Sequence, residues 1–324
     1  MIDRDSPDSP DGGWPPRALV LTAGLGTRLR PLTQARAKAA VPVAGVPLVV
    51  RILRWLRAQG VREAVLNLHH RPETLTAVVG DGRDLGLSVR YSWEQPILGS
   101  AGGPKRALPL IERDPFLIVN GDTLTDVDLR ALWQEHVRSG ATVTMALVPN
   151  PAPDKYGGAV VDADGWVTGF TRRGSKEPSF HFIGAQVTAH AAFALVPDGM
   201  AGESVIGVYP IMMRERPHVV RAFISQASFL DIGTPRDYVD TNVAIAAAEG
   251  IEPWTRGARV RIAASARVSR SILWDDVTIG EDAVLDECVV TDGVSVPAGA
   301  RYTRSALVRG PGSDGSDVIS APLD

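Results

Sequence analysis

The stretch ALVLTAGLGTRLRPLT, residues 18–33, decides the fold. Strand-forming residues from Ala18 to Thr22 run directly into a turn carrying Gly24 and Gly26, followed by Arg28. A strand that empties into a glycine-rich turn presents backbone N–H groups to an anion, because glycine lets the main chain approach without a side chain in the way. The dinucleotide fingerprint G-x-G-x-x-G fails here, since its third glycine falls on Leu29. A Walker A loop fails as well, because no Gly-Lys-Ser/Thr is present. A tight turn without a ligand leaves Arg28 and the later Lys38 unexplained.

Outward from this turn, short strand-like runs (EAVLNL, LSVRYSW, FLIVN, ATVTMALV) alternate with longer helical stretches. That alternation predicts a parallel sheet with crossover helices. The clearest helix runs from Pro47 to Gly60, with Leu48, Val49, Ile52, Leu53 and Leu56 on one face and Arg51, Arg54 and Arg57 on the other. After Val148 the texture becomes hairpin-like: GAVVDADGWVTGF turns at Asp164-Gly165, and HFIGAQV and VVRAFI follow as further strands of the same sheet. A last helix spans Pro235 to Ala248, closed by Gly250. Beyond Trp254, aliphatic residues recur about every six positions: Ile262, Val268, Leu273, Ile279, Leu285 and, after an irregular interval, Val296. This recurrence points to hexapeptide coils of a parallel β-helix over residues 257–309, with ordinary antiparallel strands as the alternative. The expected organisation is a disordered tail at 1–16, a catalytic domain at 17–249, the coils, and a second disordered tail at 310–324.

The chain has 324 residues, enough for roughly two domains. Lys+Arg 34 against Asp+Glu 37 leaves a net charge of -3, which argues against a nucleic-acid partner. The only lysines are Lys38, Lys105, Lys155 and Lys176, so a lysine at a motif position carries weight. One cysteine, Cys288, excludes an internal disulfide and suits a reducing compartment. No apolar run is long enough to span a bilayer, and the acidic, Pro-rich start is unlike a signal peptide. The expectation is a soluble, cytoplasmic protein with no membrane partner.

GLGTRLRPLT (24–33), Lys38 in AKAAVPVAG, ILGSAGG (97–103), VNGDTL (119–124) and FLDIGTPRDYVDTN (229–242) occur in an order that resembles the sugar-nucleotidyltransferases. The resemblance covers roughly residues 17–248, and hexapeptide coils trail many members of that family. It implies an α/β fold: a Rossmann-like, mostly parallel sheet followed by a short left-handed parallel β-helix. It also implies a reaction, in which a nucleoside triphosphate and a sugar 1-phosphate give a nucleotide-sugar and pyrophosphate. Arg28 would clamp the β and γ phosphates, Lys38 would stand near the α-phosphate, and Asp122 and Asp231 would hold Mg²⁺. Leu21, Ala23, Gly24, Gly26 and Thr27 would cradle the nucleotide, and Gly99 and Gly102, with Gly103, would let the chain close over base and ribose. Glu94 would read the base edge; a carboxylate can accept from both N1–H and the exocyclic amine of guanine, which favours GTP. Asn120, Gly121, Arg172 and Gly184 complete the expected substrate contacts.

Two segments depart from the family pattern. The usual F-x-E-K-P appears as Phe170-Thr171-Arg172-Arg173-Gly174, with Lys176-Glu177-Pro178 downstream, and the usual Asn-Ala-Gly-Ile appears as Phe182-Ile183-Gly184-Ala185. GTP with mannose 1-phosphate, giving GDP-mannose, is the preferred substrate pair. UTP or dTTP with glucose 1-phosphate, or a noncatalytic regulatory homologue, are the alternatives. Coils with open ends further imply a homo-oligomer. Asp126 and Asp128 are expected to cap the helix that follows them, and the scattered tryptophans to pack within the protein.

Overall fold

A computed structural model describes residues 13–310 and 317–323; the parts of the expected tails at 1–12, 311–316 and Asp324 lie outside the described residues. The chain forms two compact units: Met1–Gly24, Ile52–Pro72 and Val79–Leu230 make the first, and Leu25–Arg51, Glu73–Val78 and Asp231–Asp324 the second. These units are groups of residues in mutual contact and cut across the boundary expected near residue 250 without testing it. The glycine-rich segment from Leu25 onward and the last helix group with the coils.

The first unit is built on a nine-stranded sheet. Its parallel part comprises β1 (Ala18–Leu21), β2 (Glu63–Leu68), β3 (Ser88–Trp93) and β4 (Phe116–Asn120), with β1 between β2 and β4 and β3 outside β2. Ala18, Leu19 and Val20 are fully buried, as a strand covered on both faces requires. The expected extension follows: β5 (Val143–Pro149), the hairpin β6 (Gly158–Val161) and β7 (Val167–Thr171), β8 (Phe180–Thr188) and β9 (Val220–Ile224). β8 runs antiparallel between β4 and β5, and β9 pairs parallel with β5. The hairpin turns at Gly165, whose φ of 85° suits glycine. Asp128 caps the helix Leu129–Ser139 by accepting from the Ala131 N–H at 3.0 Å, whereas Asp126 accepts instead from the Ser228 N–H at 2.7 Å. Trp133 is buried and meets Trp14 edge-on at 6.1 Å, so the end of the expected N-terminal tail is packed; Trp93, by contrast, is exposed.

In the second unit the coils form three faces of parallel strands. Ile262, Ile279 and Val296 stack on one face, Val268, Leu285 and Tyr302 on the next, and Leu273, Val290 and Leu307 on the third. Equivalent residues of successive coils are 17 apart, because every third inward interval is five rather than six. Val290 therefore fills what reads in sequence as an irregular gap. The expected C-terminal tail is corrected in part: Val318–Pro322 is a strand antiparallel to Ser305–Arg309, and Leu323 is buried. The strand satisfies backbone groups that the last coil would otherwise leave open on that face.

His136 provides a pH test of the first unit. Burial holds its imidazole down at about 4, and its Nδ1 lies 2.9 Å from the Thr144 hydroxyl. The unfolded chain takes up this proton near pH 6.5 while the fold resists it, so stability should fall as pH drops from about 6.5 to about 4, by on the order of 3 kcal/mol. Urea midpoints measured across that range should lose this slope in His136→Gln.

Candidate active site

In the first unit, five of the expected residues lie together at the carboxyl ends of β1 and β4. Leu21 lies in register with Asn120, and the Gly121 N–H donates to the Leu21 carbonyl at 2.9 Å. A Cβ on Gly121 would stand 2.5 Å from that carbonyl oxygen. Gly184 interrupts the register of β8 at a φ of 79°, and a Cβ there would sit 3.0 Å from the Asn120 Cβ. Asp122, half-buried, follows directly, and its Oδ1 accepts from the Thr123 hydroxyl at 3.3 Å. This is where open α/β sheets bind ligands.

Several other expected residues take part in a bracing network. The Asn67 side-chain oxygen accepts from the backbone N–H of Thr22 at 2.6 Å and of Ala23 at 3.3 Å, so the start of the turn is held by β2. The amide nitrogen of Asn67 donates to Glu94 Oε1 at 2.7 Å, and the Leu98 N–H donates to Glu94 Oε2 at 2.8 Å. Glu94 is only 3% exposed. Buried and bonded in this way, Glu94 is a strut that ties β2 to the loop before the helix Gly99–Ile111, while each of its oxygens keeps lone-pair capacity for the base edge it is expected to read. Asn67 was the residue missed, and one asparagine near the end of EAVLNL gives little signal.

The glycines of that helix are explained by packing too. A Cβ on Gly99 would lie 2.7 Å from the Gly202 carbonyl, one on Gly102 would strike the Met200 carbonyl, and one on Gly103 would strike Glu94. The first helical N–H groups serve the same segment: the Ala101 N–H donates to the Gly202 carbonyl at 2.8 Å. These contacts give a packing reason for glycine at Gly99, Gly102 and Gly103 beside the expected closure over base and ribose. The basic residues after β7 separate: Arg172 lines a cavity of about 440 Å³ with Phe170, Ile206 and Met213, whereas Lys176 lines one of about 720 Å³ with Asn150, Pro153 and Phe180.

In the second unit, Gly26 takes a φ of 59°, and a Cβ there would lie 2.7 Å from Thr33 Cγ2 and 3.2 Å from Lys38 Cβ. The loop thus folds back on itself, and the Thr33 hydroxyl donates to the Gly26 carbonyl at 3.0 Å. Leu29 and Leu32 are fully buried, while Gly24, Thr27 and Arg28 are exposed. Arg28 and Asp231 meet at Gly233: a Cβ on that glycine would stand 3.1 Å from an Arg28 Nη and 3.3 Å from an Asp231 carboxylate oxygen. Next to them the helix Pro235–Glu249 begins with a capping box, in which Thr234 and Asp237 satisfy each other's backbone N–H groups. An exposed guanidinium fork, a lysine on the same folded loop and a bare glycine backbone are the parts from which a polyphosphate cradle is made.

The model of the nucleotidyl transferase family matches residues 17–248. The chain belongs to that family. A second model, the GlmU-like C-terminal hexapeptide, matches residues 241–303. Among relatives, the chain is 29% identical over 297 residues to mannose-1-phosphate guanylyltransferase of Mycobacterium tuberculosis, covering 89% of this chain and 83% of the relative. It is 33% identical over 226 residues to N-acetylmuramate alpha-1-phosphate uridylyltransferase of Neisseria meningitidis, covering 67% and 93%. The crystal structure of HddC from Yersinia pseudotuberculosis complexed with GMP-PN superposes with a TM-score of 0.62 at 24% identity, covering 71% of this chain and 99% of that one, which supports the nucleotidyltransferase fold.

Glu94→Ala should destabilise the protein by about 1–3 kcal/mol, because it strands the Asn67 amide and the Leu98 N–H in a buried position. Chemical denaturation measures this; an unchanged midpoint would show that Glu94 does not act as a strut.

Proposed function

We propose that this chain transfers a nucleotidyl group from a nucleoside triphosphate to a sugar 1-phosphate, releasing pyrophosphate, with GTP and mannose 1-phosphate as its substrates. The observation that carries the reading is the convergence of Arg28 and Asp231 at Gly233 beside the folded loop that holds Lys38. The names of the relatives supply the sugar and the base: guanylyl transfer to mannose 1-phosphate recurs among them, in Mycobacterium tuberculosis and in Oryza sativa. Glu94, whose carboxylate can accept from both N1–H and the exocyclic amine of guanine, agrees with that preference.

The chemistry asks for alignment more than for proton transfer. A phosphate monoester is largely ionised at neutral pH and needs no general base to attack the α-phosphorus in line. Two anions must be held together while charge grows on the leaving pyrophosphate. Arg28 supplies a planar fork for the β and γ phosphates and Lys38 a point charge for the α-phosphate; Gly24, Gly26 and Thr27 offer backbone to the triphosphate, and Arg172 and Gly184 serve the sugar phosphate side. The carboxylates of Asp122 and Asp231 are hard oxygen donors of the kind Mg²⁺ prefers, and we assign them as its ligands. When bound, the ion neutralises phosphate charge.

Among the described residues no helix is long and apolar enough to cross a membrane, and we place the enzyme's work in the cytoplasm. We also propose a homo-oligomer. Two of the three coil faces end on strands without an outer neighbour among the described residues, Ser295–Val296 and Arg301–Thr303, where a second copy can add.

A pyrophosphate-release assay crossing GTP, UTP, dTTP and ATP with several sugar 1-phosphates tests the activity. Release should require both substrates, peak with GTP and mannose 1-phosphate, and stop in excess chelator. Arg28→Ala should lower turnover about a hundredfold, the scale of one preorganised donor, and Arg28→Lys should recover little of it. A raised Michaelis constant with intact turnover would make Arg28 a ground-state anchor instead. Light scattering at several concentrations should give a mass above that of one chain.

A further inference from the structure

The segment carrying Arg28 and Lys38 has little secondary structure of its own. From Thr27 to Ala40 it makes three single turns, Thr27–Leu29, Leu32–Gln34 and Lys38–Ala40. Such turns fix only neighbouring residues, so the placement of two functional cations ten residues apart must come from elsewhere in the second unit.

Arg36, two residues before Lys38, supplies the connection. Its Nε donates to Asp292 Oδ2 at 2.7 Å, and its Nη2 donates to Asp292 Oδ1 at 2.6 Å and to Asp275 Oδ2 at 2.7 Å. The guanidinium carbon lies 5.4 Å from the centre of the Trp274 ring, and the side chain is only 13% exposed. Burial alone would lower the Arg36 pKa, but the two carboxylates hold it above its ordinary value. Trp274 continues the connection by donating its ring N–H to the Tyr238 hydroxyl at 3.0 Å, and that hydroxyl donates to the Pro42 carbonyl at 2.6 Å. Asn242, one turn further along the same helix, accepts from the Ala44 N–H at 2.7 Å. On the other side of Arg36, the Ala37 N–H donates to the Thr74 hydroxyl at 3.0 Å. Lys38 therefore lies in a segment clamped at Arg36, Ala37, Pro42 and Ala44.

We propose that Arg36 is a positioning residue for nucleotidyl transfer: gripped by Asp275 and Asp292, it makes the β-helix coils the mount that sets Lys38 and Arg28 against the triphosphate. The proposal rests on the reading of Arg28 and Lys38 given above. It assigns the coils a part in turnover that is separate from self-association.

The test uses the full chain with Arg36→Met, which keeps the alkyl stem over Trp274, together with Arg36→Lys, Asp292→Asn and the double variant. Arg36→Met should lower kcat by 10- to 100-fold, the scale of a misplacement of about 1 Å, with KM for the sugar 1-phosphate unchanged. Arg36→Lys should recover less than tenfold, because an ammonium cannot bridge two carboxylates as a fork does. The double variant should be little worse than either single one, since both break the same contact. Amide exchange should quicken at residues 26–41 and stay unchanged at residues 261–309. Wild-type kcat in Arg36→Met, or exchange that quickens equally through the coils, overturns the proposal. An inactive wild type in the substrate panel overturns the transfer reading and the catalytic half of this one; the exchange arm then decides the mount by itself.

Discussion

A loop that offers its backbone N–H groups to phosphate cannot also use them to hold itself in place. The segment after β1, proposed above as such a loop, spends the Leu29 and Arg30 N–H groups on its own turn and is otherwise braced from outside at both ends. At its start, the Asn67 side chain takes the N–H groups of Thr22 and Ala23. Further on, Arg36, Ala37, Pro42 and Ala44 are held by side chains from the coils and from the two helices of the second unit. Gly24 and Arg28 are left exposed between these braces. The same constraint accounts for Leu29 and Leu32, fully buried on either side of Arg30 and Pro31: apolar anchoring fixes the chain without consuming a donor.

Glu94 belongs to this bracing whatever it reads of the base. A buried carboxylate is tolerated only when its lone pairs are met, and here an amide from β2 and a backbone N–H from the loop before Gly99 meet them. The result is a continuous chain of hydrogen bonds from Leu98 through Glu94 and Asn67 to Thr22. The loop that precedes the helix Gly99–Ile111 and the turn that follows β1 are thereby fixed to one another within the first unit.

Much of this was legible in the sequence, and the physical reasons differ by element. Strand, glycine turn and helix follow from local chemistry, so β1 to β4, the helix at Leu48–Ala58 and the turn at Gly165 stand where the pattern put them. The coils showed because an inward aliphatic residue must recur; the interval of five hid Val290. What stayed hidden was set by partners distant in sequence. Nothing near Glu94 announces Asn67, and nothing near Gly102 announces the Met200 carbonyl that makes glycine necessary. The strand at Val318–Pro322 follows a Gly- and Ser-rich stretch and has meaning only beside Ser305–Arg309. Arg36 reads as one more surface arginine until the coil period places two aspartates opposite it.

That period explains why the brace needs an arginine from outside the coils. Equivalent positions of successive coils lie about 4.8 Å apart, so charges at the same position interact strongly. At two corners the coils balance this internally, pairing Arg259 with Asp276 and Arg270 with Glu287. At Asp275 and Asp292 the column is acid on acid, and the Asp275 N–H donates to Asp292 Oδ1 at 3.1 Å. Backbone donors of this kind, joined at Asp275 Oδ1 by the Ala258 N–H, reduce the repulsion without cancelling its charge. A cation that reaches both carboxylates cancels part of it, and a planar guanidinium with divergent N–H groups does so where a single ammonium cannot. The coils thus carry an electrostatic deficit at one corner that Arg36 fills. That deficit gives the glycine-rich segment a reason to dock at this corner, and ties the segment's position to the geometry of the stack.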